Sequence, residues 1–151
     1  MKKIKFLAVA LAVGALSFSC SSDDNENPLG GDLTAKWNVV KTVLSVSGED
    51  YVTNYESNEP GCDKNYIEFT DDGHVNDVIY FHNASNVCTE DAATPQEYTR
   101  TDNTLTIAGG EYGGTYEITK LTNSELQITQ TSTAGGLTTE TTVYFSKAAN
   151  Q

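Results

Sequence analysis

From Trp37 to Phe145 apolar residues recur at every second position, broken by short turns; this is the period of a strand and not the 3.6 of a helix. Such a chain places its apolar residues on one face of a sheet. In Tyr66-Ile67-Glu68-Phe69-Thr70, Ile67 and Phe69 fall on one side, and Asp71-Asp72-Gly73 follows as a tight turn with glycine where a positive φ is needed. His74 to His82 returns as a strand with Val75, Ile79 and Phe81 on a common face. Tyr98 to Thr101 turns at Asp102-Asn103 into Leu105-Thr106-Ile107. Tyr116 and Ile118 head a strand that turns at Thr122-Asn123-Ser124, and Leu126 and Ile128 carry the return. Val143 and Phe145 close the set after Ala134-Gly135-Gly136. Trp37 to Val46 reads as a long opening strand whose apolar face changes parity between Val39 and Val40, as at a bulge. A shorter strand covers Tyr51 to Tyr55.

The expected fold class is therefore all-β, with eight or nine strands at hairpin spacing and no helix. Consecutive antiparallel hairpins in this number close into an up-and-down β-barrel of about eight strands, which removes exposed edges. An open sandwich is the competing architecture. A barrel of eight strands has an interior that side chains can fill or that can hold one small ligand.

The residues before the domain have a different composition. Lys2, Lys3 and Lys5 precede an uncharged, almost wholly apolar run from Phe6 to Leu16, and small residues lead from there to Cys20. The run is too short for a spanning helix, which needs about 20 apolar residues. Residues 1–19 thus read as a cleaved export signal. After Cys20 the chain holds six basic residues against 21 acidic ones, a formal charge of about −15. That field repels phosphate backbones and anionic head groups, which argues against nucleic acid as a partner; solubility explains the acidity.

Cys20, preceded by Leu16-Ser17-Phe18-Ser19, resembles the lipobox of bacterial lipoproteins, although the aliphatic residue stands four positions before the cysteine and not three. The resemblance implies lipidation of Cys20 and anchorage to a membrane through acyl chains. An ordinary secretory signal with an incidental cysteine is the alternative. Residues 20–32, rich in charge, Pro and Gly, are expected to form a disordered tether. Its Ser21-Ser22-Asp23-Asp24 start resembles the tag that sends lipoproteins to the outer face of the outer membrane, which implies a location facing the cell exterior. A plain solvated spacer explains the same residues and leaves periplasm-facing anchorage open. Cys62 and Cys88 remain as an even pair for an oxidising compartment. A disulfide between them would close a loop of about 27 residues, worth roughly 3.5 kcal/mol in the chain-entropy model, with two free thiols as the alternative.

Within the expected domain, residues 33–147, the order of motifs resembles the lipocalin-like domain family of small bacterial lipoproteins. The resemblance is carried by Leu33-Thr34-Ala35-Lys36-Trp37-Asn38-Val39, by the strand ending Phe69-Thr70-Asp71-Asp72-Gly73, and by Leu105-Thr106-Ile107 and Tyr116-Glu117-Ile118. Lipocalins carry Gly-x-Trp where this chain has Ala35-Lys36-Trp37. The resemblance implies a small barrel with a ligand cavity, and no catalysis. Residues 148–151 are expected to be a tail.

Signals for chemistry are sparse. His74 and His82 stand about 27 Å apart along one strand, too far to share a metal or a proton. There is no Gly-x-Ser-x-Gly elbow, no HExxH and no P-loop. Gly109-Gly110 and Gly113-Gly114 flank Glu111-Tyr112 without a following helix and read as a flexible hairpin tip. Strict alternation on the face of Val75, Ile79 and Phe81 also points Asp77 inward, which is costly for a lone carboxylate. Either the cavity there is wet and polar, or a bulge turns Asp77 outward; the bulge is the expectation. Candidate cavity-wall residues are Trp37, Phe69, Phe81, Tyr98 and Tyr116, with ordinary core packing as the alternative for each. The functional expectation is a non-enzymatic, lipid-anchored module that needs no cofactor or metal. It would hold a small apolar or amphipathic ligand, or act through its outer surface on an envelope protein with its core filled.

Overall fold

The computed structural model of the chain describes residues 28–55 and 60–149. The expected signal segment, Cys20 and the first part of the expected tether lie outside the described residues. Ten strands are present among them: β1 (Lys36–Val46), β2 (Glu49–Asn54), β3 (Tyr66–Phe69), β4 (His74–His82), β5 (Cys88–Ala92), β6 (Gln96–Thr101), β7 (Thr104–Ile107), β8 (Gly114–Leu121), β9 (Glu125–Ala134) and β10 (Leu137–Lys147). Every pairing is antiparallel, as the short connections demand.

Eight of the strands close on themselves in the order β1-β3-β4-β6-β7-β8-β9-β10, and β10 returns to β1 along its full length, from Trp37↔Lys147 to Val46↔Thr139. The bulge expected in the opening strand is present as a register shift between Val39 and Lys41. Because β10 occupies one edge of β1, β2 and β3 share the other: β3 pairs the start of β1 and β2 pairs its end. β4 is divided in the same way, with β6 beside His74 and Val75 and β5 beside Val78 to His82. The barrel thus has a base, where β1 begins, and a splayed upper end to which β2 and β5 are added. β5 was not visible as a strand in the sequence, because Cys88-Thr89-Glu90-Asp91-Ala92 has no apolar alternation.

Side chains from all eight barrel strands fill the base. Trp37, Ile67, Phe69, Leu105, Ile118, Leu121, Leu126 and Ile128 are each less than 2 % exposed. The Trp37 indole donates to the Leu33 carbonyl oxygen at 2.9 Å, so its one polar atom is satisfied in the core. Residues 28–35 plug this end. Leu33 is buried, Leu29 packs against the core, and the Gly31 amide donates to the Leu121 carbonyl at 2.8 Å. Gly31 lies so close to the Thr122 backbone that a Cβ there would collide with it. The expected tether through Asp32 is corrected here: Pro28 to Asp32 lie against the barrel, since two backbone bonds to Leu121 and an apolar contact from Leu29 hold them. At the other terminus, Ala148 of the expected tail still donates to the Lys36 carbonyl at 2.8 Å.

The expected disulfide between Cys62 and Cys88 is formed, with the two Cα atoms 5.5 Å apart. It ties the segment before β3 to the start of β5. Nearby, the Asn65 side chain accepts from the Tyr80 amide at 2.7 Å and the Asn65 carbonyl accepts from Asn38 Nδ2 at 2.9 Å. This segment stands beside β4 where β3 has ended. His82 Nε2 lies 3.6 Å from Cys88 Sγ and 3.8 Å from Cys62 Sγ. The three residues resemble a metal-ligand cluster, but both sulfurs are joined to each other and offer no thiolate.

Candidate functional site at the barrel mouth

Register decides the orientation of Asp77. β3 and β4 pair without a break from Tyr66↔Val78 to Phe69↔Val75, which places Asp77 opposite Ile67, on the same side as Phe69 and Val75. Those three apolar residues belong to the barrel core. The expected outward-turning bulge is therefore absent, and the carboxylate faces the barrel's interior just above the packed layer. It is half-buried. Its neighbour across the opening is Glu111, carried by the β7–β8 loop. Burial first, and the Glu111 carboxylate second, push the Asp77 carboxyl above its ordinary value of 3.8.

The β7–β8 loop is exposed at Gly110, Glu111 and Gly113, but its central aromatic residue turns inward. Its Tyr112 packs on the core, with the ring centroid 5.9 Å from that of Phe145 across the barrel. Burial pushes the Tyr112 hydroxyl well up, and Glu111, Asp77, Tyr55 and Tyr116 add to the shift. Burial likewise raises Tyr55, which feels both Glu111 and Asp77. Two carboxylates and two phenols thus converge at one end of the barrel. Three of the four, Asp77, Glu111 and Tyr112, line a pocket of about 100 Å³ together with Val75, Ala93, Thr94, Gln96, Ile107, Gly109 and Gly110. Its floor is apolar, from Val75 and Ile107, and its rim is acidic. Such a site favours a ligand with an apolar part and a cationic or hydrogen-donating end.

The five aromatic residues expected to line a cavity have separate positions. Trp37, Phe69 and Tyr116 are buried in the packed core, and none of them lines the mouth pocket. Tyr98 packs on the same core, meets Phe69 edge to face at 5.0 Å, and donates its hydroxyl to the Thr70 carbonyl at 2.9 Å. Phe81 is a correction: it is 37 % exposed, and its neighbour Ile79 is 42 % exposed. Both share the inward parity of Val75, but they lie beyond the end of β3, where, among the described residues, β4 pairs only with β5 and no opposite wall covers them. Val78, off that face in the sequence, is buried against Tyr66 instead. Glu111, Tyr112, Tyr55 and Gln96 were not anticipated. An aromatic residue between two glycine pairs was the available signal for Tyr112.

An eight-stranded antiparallel meander closed on a packed core, plugged at one end and pocketed at the other, is a lipocalin-like barrel. Comparison with known families agrees: the model of the lipocalin-like domain matches residues 33–128. The chain belongs to that family. Among solved structures, a bovine odorant binding protein (a deswapped triple mutant) is similar, at 22 % identity and a TM-score of 0.39, over 78 % of this chain and 75 % of that one. No curated protein matches the chain.

Proposed function

We propose that the protein is a lipid-anchored binding module of the outer membrane, exposed at the cell surface, whose barrel mouth holds one end of a small amphipathic ligand. The observation that carries the binding reading is the inward Asp77 carboxylate at the rim of an apolar-floored pocket. A carboxylate so placed is costly unless something pairs with it, and Glu111 makes the cost larger. A ligand with an ammonium or comparable donor group would relieve both. The pocket is smaller than the ~300–1,000 Å³ typical of sites for drug-sized molecules, so the ligand's head enters and its tail lies along the mouth. The role is binding and not turnover.

Native mass spectrometry of the purified chain with octylammonium and with an uncharged octanol control tests this. The reading expects the ammonium to bind and Asp77→Asn to abolish that binding. Equal binding of both probes, or of neither, overturns it. Anchorage is supported by the resemblance of the segment around Cys20 to a lipobox, and it expects acyl chains in the mass of the mature protein. Surface exposure expects loss of the protein on protease shaving of intact cells.

A second reading is favoured by the packed base. With Trp37, Phe69 and Leu126 filling the interior, the barrel can also serve as a rigid body that engages an envelope protein through its outer surface. Crosslinking in intact cells then expects one reproducible partner, and repeated failure to trap any discredits it.

A further inference from the structure

Six basic side chains lie among residues 28–149, and three of them face one concavity on the outside of the barrel. The groove has a volume of about 530 Å³ and runs along β1 and β3 at the base, bordered by the end of β10. Lys36, Lys64 and Lys147 line it, with Thr34, Asn38 and Tyr66 between them and Glu68 as the only carboxylate among its described lining residues.

The other three cations are occupied. Lys120 pairs with Glu125, Arg100 Nε donates to the Asp102 carbonyl at 3.0 Å, and Lys41 lies 4.5 Å over the Tyr144 ring. Lys36 is held in place: its Nζ donates to the Tyr66 hydroxyl at 3.1 Å and sits 4.3 Å from that ring's centroid. Lys64 and Lys147 form no salt bridge among the described residues, in a chain of net charge −12 where carboxylates outnumber cations more than two to one. Among the described residues, three ammonium groups gather with one carboxylate in the lining and with Glu90 acting on Lys36 from outside it, which concentrates positive charge in a concave wall where field lines converge.

We propose that this groove is an anion-binding site, separate from the barrel mouth, which takes a small soluble ligand with at least two acid groups, carboxylate or phosphate. Lys64 and Lys147 supply the charge, Lys36 is preorganised by Tyr66, and the second hydrogen of the Asn38 amide, whose first goes to the Asn65 carbonyl, supplies a neutral donor. Preorganisation lowers the entropic cost of capture. The strong negative charge of the remaining surface disfavours an extended anionic membrane and favours a compact ligand.

The test is calorimetric titration of the full chain, purified in nonionic detergent, with inorganic pyrophosphate and separately with citrate. Saturable binding of at least one probe is expected, weakening by about tenfold between roughly 20 and 200 mM salt. The double variant Lys64→Gln/Lys147→Gln should lower affinity by at least about tenfold. Lys120→Gln and Asp77→Asn should leave it unchanged, the latter because the mouth pocket is a different site. Preference for pyrophosphate assigns a phosphate ligand and preference for citrate a carboxylate. Binding of neither probe, or wild-type affinity in the double variant with its amide spectrum intact, overturns the proposal.

Discussion

The base and the mouth of this barrel are made from the same alternating strands, yet one is dry and filled and the other is polar and open. At the base, β1, β3, β4 and β6 to β10 face one another, so every inward apolar residue meets an opposite wall, and residues 28–35 seal the end. Toward the mouth β3 stops at Tyr66, β4 continues alone with β5, and β1 continues with β2 and β10. There the same inward parity carries Asp77 to a pocket rim and leaves Ile79 and Phe81 exposed. The lesson is that parity fixes a side chain's direction, whereas burial needs a wall to face. The proposed binding site lies at the end where the walls run out.

Substitutions at the two ends should differ most in stability. Trp37→Ala removes a fully buried ring and a satisfied indole bond, and should cost about 3–5 kcal/mol in urea unfolding. Replacing Cys62 and Cys88 together by Ser should cost about 3 kcal/mol through the freed loop, with amide exchange rising first around Asn65 and Tyr80 beside the seam. If exchange instead rose uniformly, the seam would not be a separate unit from the base. Phe81→Ala, by contrast, should cost about 1 kcal/mol or less, because its ring has no opposite wall. A loss there as large as that of Trp37→Ala would erase the distinction.

The smallest effect is pH-dependent. The folded state raises the Asp77 pKa, so ionising this group works against folding. The penalty is absent below the unfolded value near 3.9 and grows as pH rises through the raised folded value. Asp77→Asn should therefore be more stable than wild type at pH 7 and lose that advantage below about pH 4. Paired thermal unfolding curves at the two pH values check the sign.

Period-two hydrophobicity made the strands, the β1 bulge and the closed barrel legible, because each depends on local alternation and turn chemistry. The spare cysteine pair made the disulfide legible by count. The mouth was hidden for two physical reasons. Asp77 looked implausible as an inward residue because alternation along one strand cannot show that its neighbour β3 ends one residue beyond it. Glu111 and Tyr112 come from a glycine-rich loop, and only the tertiary contact of Tyr112 with Phe145 turns that loop into a cap. Strand β5, with no apolar residue to alternate except its ends, is held by backbone pairing to β4 and by the disulfide. The same limit applies to the basic groove, whose three lysines are far apart in sequence and meet only through the β1–β3 and β1–β10 pairings.

One titration tests the account of the mouth most directly: the carboxyl carbon of Asp77 followed by NMR, with and without saturating octylammonium. The account predicts a midpoint above 3.8 in the free protein, lower in Glu111→Gln, and lower again when the ammonium is bound. A midpoint at or below the ordinary value, unmoved by either change, would mean that Asp77 lies in open water and that the mouth is not a binding site.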